Sequence, residues 1–159
     1  MEEGWESGCG GIFQNYMSGQ KKHYACLCMN KLKKFFNWRI YLSRVSDYFH
    51  WTIPVTAKTF WDEHMEVVLP DGVSAAIFCY KKYDVDATEF FLQTIKEGDV
   101  CIDVGAHYGY FTLLGAHLVG NQGQIHAFEP TPRTFAILEK NCSRKKNIFL
   151  NQKAAWCEE

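Results

Sequence analysis

Apolar positions along the chain change period several times, and each change marks an expected element. Between residues 29 and 50, Leu32, Phe35, Phe36, Ile40 and Ser43 recur at helical spacing, interleaved with Lys31, Lys33, Lys34, Arg39 and Arg44. This predicts a basic, aromatic helix whose segment is closed by Pro54. It can lie in a membrane interface or pack on the domain with its charges solvated. Trp38, Tyr41, Tyr48, Phe49 and Trp51 spread apolar surface over more than one face, which favours burial against protein. The glycine-rich residues 1–20 show no sustained period and read as a loose tail.

From Glu66 the pattern turns extended. Val67–Leu69 and Val73–Cys79 flank Pro70-Asp71-Gly72, where proline presets φ and glycine supplies a positive φ, so a β-hairpin is expected there. Asp84, Asp86 and Glu89 then open a helix over Phe90, Phe91, Leu92 and Ile95, their charges complementing its dipole. The run Val100–Val104 has the near-continuous apolar character of a strand buried on both faces, broken by Asp103 near its carboxyl end. Gly105 and Gly109 follow. Phe111, Leu113, Leu114, His117 and Leu118 then carry a helix to Gly120, with His117 read as structural, and Ile125–Glu129 is a second strand. Strand, glycine turn, helix and strand fit in about thirty residues, as a βαβ unit requires. Thr131-Pro132 starts a further helix, cap then proline, which runs through Phe135, Leu138 and Asn141 to a solvated loop at Ser143–Lys146. Ile148–Leu150 is a third strand, followed by Ala154 and Ala155.

Composition narrows the class. At 159 residues there is room for one domain, and 47% apolar with 16% aromatic residues supports a packed core rather than disorder. A net charge of −1 gives no reason to expect nucleic-acid binding. No apolar run is long enough for a transmembrane segment, and Glu2, Glu3 and Glu6 are wrong for a signal peptide. The seven cysteines are odd in number and scattered, and Cys79 and Cys101 are expected as buried thiols, so a reducing, cytoplasmic setting is expected. Cys9, His23, Cys26 and Cys28 do not have a usual zinc spacing, and no metal site is expected.

The chemistry concentrates at the carboxyl ends of the two strands, where α/β sheets bind ligands. Gly105 and Gly109 permit a sharp turn and close approach of a ligand. The helix start beyond them suits an anionic group. Glu129 is placed to accept hydrogen bonds from two vicinal ribose hydroxyls, so the natural occupant carries a nucleoside. Gly105-Ala106-His107-Tyr108-Gly109 lacks the early second glycine of a dinucleotide fingerprint, and no phosphate loop ending in Gly-Lys-Ser/Thr is present. Asp103 would repel a diphosphate and attract the ammonium of a methionine moiety. These features favour S-adenosylmethionine.

DVGAHYGYFTLL at 103–114, HAFEPTP at 126–132, and Phe135, Leu138 and Asn141 together resemble the FkbM-type methyltransferases, a branch of the class I S-adenosylmethionine-dependent enzymes. FWDEHMEVVLPDG at 60–72 and the Lys96–Asp99 entry extend the likeness, which covers roughly residues 60–157. The resemblance implies an α/β fold with a Rossmann-like sheet, represented by strands 1–3 of its core and preceded by a β-hairpin and N-terminal helices. Residues 1–60 would be a tail and basic helix, and 61–159 a cofactor-binding domain truncated on its C-terminal side. The central strand would then keep an exposed edge, open to pairing with another chain.

It further implies that Asp103, Gly105 and Gly109 line the methionine half of the cofactor and that Glu129 holds its ribose, with Ala106, His107, Phe128 and Pro130 as further cofactor-binding residues. His107 stands where the family commonly has asparagine. Tyr108 and Tyr110 are read as packing residues, and no catalytic residue is assigned. The implied activity is methyl transfer to the hydroxyl of an acceptor of unknown class. The alternative is a noncatalytic nucleoside-binding or interaction module without an acceptor half.

Overall fold

The computed structural model describes residues 38–155. Its first paired element is an antiparallel hairpin of β1 (Ile53–Lys58) and β2 (His64–Leu69), with Pro54 opposite Val68. The Val68 N–H turns away from β1 to the Ser74 hydroxyl, 3.2 Å away. Pro54 therefore sits at a position whose N–H faces outward, where its ring removes no ladder bond. The hairpin expected across Pro70-Asp71-Gly72 is thus displaced toward the N-terminus, and Pro54 lies within a strand instead of closing a helix.

Val73–Cys79 is not a strand. It lies in α2 (Gly72–Tyr80), whose N-cap Asp71 accepts the Ser74 N–H at 2.8 Å and the Ser74 hydroxyl at 2.9 Å. The Pro-Asp-Gly signal is spent on a helix cap rather than on a reversal, and Ala75 and Ala76 favour the helix that follows.

The parallel sheet has the order β3 (Val100–Val104), β4 (Gln124–Phe128), β5 (Ile148–Asn151). Three helices accompany it: α3 (Val85–Thr94), capped by Asp84, α4 (Tyr110–Val119) and α5 (Pro132–Cys142). These match the expected elements closely. Met65, Val67 and Leu69 of β2 share one core with Ile77 and Phe78 of α2, Tyr110 and Leu113 of α4, Ala127 of β4, and Leu138 and Cys142 of α5. The hairpin is therefore built into the same core as the sheet. A second cluster joins Ala116, Val119 and Ile125 to Cys101 and Ile148.

Burial corrects several expectations. β3 is covered on one face only, since Val100, Ile102 and Val104 are 65%, 69% and 63% exposed. Cys79 and Cys101 are half-buried, while Cys142 is the buried thiol among the described residues. The Ser143–Lys146 run is not wholly solvated, because Lys145 is half-buried and paired with Glu63 at 2.6 Å. His117 is exposed.

The helix expected over 29–50 is described from Trp38 as α1 (Trp38–Tyr48). It seats through Leu42, which packs on the main core, and through Arg39, which donates to the Phe78 carbonyl at 3.0 Å. Trp38, Tyr41, Tyr48, Phe49 and Trp51 are each more than half exposed, so these aromatics do not supply the expected burial. Residues 1–37 and 156–159, including the cysteine cluster considered for metal, lie outside the described residues. Among the described residues no helix is long and apolar enough to cross a membrane.

Candidate functional site

The eight residues singled out in the sequence meet at the carboxyl ends of β3 and β4. Asp103 is opposite Ala127, and the chain turns at Gly105, whose φ is +81°. The Gly105 and Ala106 N–H groups both donate to the Phe128 carbonyl, at 2.9 and 3.0 Å, which fastens the loop across the end of β4. Gly109 closes the turn by donating to the Ala106 carbonyl at 2.8 Å, then caps α4 with φ +93°. A Cβ on Gly109 would lie 2.7 Å from Leu138 Cδ1, so α5 packs directly against the loop backbone. Gly105 has no such neighbour within 4 Å, leaving open space beside an exposed backbone.

Glu129 is 6% exposed. Its Oε2 accepts the His107 N–H at 3.1 Å and its Oε1 accepts the Thr131 N–H at 2.9 Å. One carboxylate thereby holds both the glycine loop and the start of α5. Each carboxylate oxygen has two acceptor sites, so one remains on each for a further donor. His107 itself has φ +51°, and its Nδ1 is buried without a hydrogen-bond partner. Its ring lies 3.9 Å from that of Tyr108, centroid to centroid. Pro130 is exposed and Phe128 half-buried.

Asp103 points to the face covered by α4, where its Oδ2 accepts the Thr112 hydroxyl at 2.5 Å. Burial raises its pKa above the ordinary aspartate value, opposed by the hydrogen bonds from Thr112. Burial also raises the Tyr108 phenol, with the Asp71 and Glu129 charges adding to it and Arg133 opposing. Tyr110 is a packing residue: it is 3% exposed, its ring meets Trp61 and Phe111, and its hydroxyl lies 3.3 Å from that of Thr88.

Three contributors have roles that the sequence does not show. Thr112 stands within the DVGAHYGYFTLL stretch with no role assigned to it there, and Asn151, whose carbonyl accepts the Glu129 N–H at 3.1 Å, sits past the last apolar position of β5. Asn141 was part of the FkbM likeness, but its partners lie 75 and 33 residues away.

The features an S-adenosylmethionine site needs are compatible with these residues: open backbone at Gly105, a helix start at Tyr110 with no side-chain cap, and unfilled acceptor capacity on Glu129.

Comparison with known proteins gives the family link. The 31-O-demethyl-FK506 methyltransferase FkbM of Streptomyces tacrolimicus is 40% identical over 68 residues, 43% of this chain and 23% of the relative. That stretch is FkbM-like. The chain spans less than a quarter of this relative's length. No protein-family model matches the sequence. Among solved structures, a SAM-dependent O-methyltransferase of Thermotoga maritima aligns at 19% identity and a TM-score of 0.41, covering 69% of this chain and 44% of that one. A SAM-dependent methyltransferase of Aquifex aeolicus aligns at 20% identity and a TM-score of 0.38, covering 42% of this chain and 36% of that one. The FkbM-like residues thus stand on a sequence relation, and the α/β architecture on the strand order of the chain itself.

Proposed function

We propose that this chain carries the cofactor-binding half of an S-adenosylmethionine-dependent methyltransferase acting on a hydroxyl. The observation that carries the reading is the junction of the Asp103–Gly109 loop with Glu129 at the ends of two adjacent parallel strands. The FkbM relative, named for a 31-O-demethyl substrate, supports an oxygen acceptor.

When bound, the cofactor supplies an electrophilic methyl group on a sulfonium. The chain's own task is placement, because an in-line displacement gains most from fixed geometry. Glu129 would accept hydrogen bonds from the two ribose hydroxyls on its remaining lone pairs, with Phe128 and Pro130 beside it. Gly105 and Ala106 would let the methionine portion lie against the backbone, the start of α4 being available to its carboxylate and Asp103 to its ammonium. His107 and Gly109 hold the turn in shape. The exposed edge of β3 suits pairing with a further strand, and the unpaired thiols of Cys79, Cys101 and Cys142 suit a reducing, cytoplasmic setting.

Thermal unfolding of the whole chain with S-adenosylhomocysteine, NAD and ATP tests this reading. A ligand at about one hundred times its dissociation constant stabilises by about 2.7 kcal/mol. Only S-adenosylhomocysteine is expected to raise the Tm. A rise with NAD and none with S-adenosylhomocysteine would overturn the assignment in favour of a dehydrogenase.

A further inference from the structure

The side-chain amide of Asn141, in the last turn of α5, is engaged at both ends. Its Oδ1 accepts the Glu66 N–H at 2.7 Å, and its Nδ2 donates to the Glu66 carbonyl at 2.9 Å. Pairing with both backbone groups of one residue is what a neighbouring strand would do. Asn141 does it at the outer edge of β2, on the side away from β1. The second Nδ2 hydrogen goes to the Tyr108 carbonyl at 2.8 Å. One side chain therefore ties the hairpin, α5 and the glycine loop together.

The loop is thus gripped from two sides. Glu129 holds the His107 N–H from the β4 side, and Asn141 holds the next residue's carbonyl from the α5 side. Between those grips lies His107 with φ +51°, a conformation that a non-glycine residue keeps only when its surroundings enforce it. Gly109 then packs on Leu138 and Cys142 of the same helix. The hairpin has other attachments nearby that do not touch the loop: Lys140 pairs with the Glu66 carboxylate, and Lys145 with Glu63.

We propose that Asn141 is a positioning residue for the cofactor loop, and that through it the β1–β2 hairpin forms part of the frame of the cofactor site. The proposal rests on the reading that this loop binds S-adenosylmethionine. An asparagine is suited because it offers one acceptor and two donors on a short stem. Aspartate at this position would keep the acceptor for the Glu66 N–H and set a negative oxygen against two carbonyls.

The test compares wild type, Asn141→Ala, Asn141→Asp and Lys140→Ala, each shown to be folded by circular dichroism. Amide hydrogen exchange over residues 103–112 is measured without ligand, and S-adenosylhomocysteine affinity by calorimetry. Both Asn141 variants are expected to speed loop exchange and weaken binding by about tenfold, the loss of roughly one buried hydrogen bond. Lys140→Ala, which loosens the hairpin without touching the loop, leaves both unchanged. Should Asn141→Ala fail to fold, the nearly isosteric Asn141→Asp decides.

Loop exchange equal to wild type in a folded Asn141 variant would overturn the proposal, as would unchanged affinity beside a binding wild type. Lys140→Ala matching Asn141→Ala would also overturn it, reducing Asn141 to general hairpin support. If wild type does not bind S-adenosylhomocysteine, the cofactor reading fails and the claim that Asn141 frames a cofactor site falls with it. Loop exchange then still reports whether Asn141 holds the loop.

Discussion

Asp103 and Cys142 show how burial at the end of β3 shapes single residues. Burial raises the Asp103 pKa, so the folded chain holds the proton more tightly than the unfolded chain does. Stability from this group is therefore present below the ordinary aspartate value and lost as pH rises through the raised folded value. Asp103→Asn cannot ionise, yet keeps an oxygen for the Thr112 hydroxyl. Its Tm relative to wild type is expected to climb as pH rises from the acid range toward neutrality, measured by thermal unfolding in a buffer series. A relative Tm that falls over the same range would contradict this origin of the shift. Cys142, 3% exposed, has its thiol pushed up to about 12 by burial first and by the Asp103 charge second. It is a packing residue beneath Gly109 and not a nucleophile, because the thiolate is the reactive form.

At the scale of elements, the loop between β3 and α4 depends on Gly109 twice over, through a φ of +93° and through its contact with Leu138. Gly109→Ala is expected to destabilise the fold by about 1–3 kcal/mol, from backbone strain and overpacking together. Urea unfolding followed by circular dichroism measures it, and an unchanged midpoint would mean that the loop and α5 are less closely packed.

Elements with a local signal were legible in the sequence. The α5 start at Thr131-Pro132, the stop of α4 at Gly120 and the Asp84 cap of α3 each follow from residues within one turn of the boundary. Val67–Leu69 is the strand its pattern suggests, but Pro54 and Val73–Cys79 differ from expectation because their signals are ambiguous. Pro-Asp-Gly serves a turn or a cap equally well, and only the Asp71–Ser74 hydrogen bonds and the outward Val68 N–H decide between them.

For the molecule as a whole, the positions of the site residues could be read because they lie on one βαβ unit, where chain order nearly dictates spatial order. What joins that unit to the hairpin could not be read. Glu66 with Asn141 and Glu63 with Lys145 are contacts across 75 and 82 residues, and no periodicity announces them. The burial of β3 is less than its sequence suggests for a related reason: a near-continuous apolar run shows what a strand can bury, not what covers it. The outcome is a glycine loop and Glu129 seated on the main core, beside a sheet face on which Val100, Ile102 and Val104 remain exposed.

In the function proposed above, Glu129 holds the ribose of S-adenosylmethionine while fastening the glycine loop. Calorimetric titration of the folded chain with S-adenosylhomocysteine, beside Glu129→Ala, tests that double role. Micromolar binding by wild type, weakened by about 1–3 kcal/mol or more in Glu129→Ala, is the expected result. Equal affinity in the two proteins would contradict the role of Glu129. No binding by a folded wild type would contradict the cofactor assignment itself.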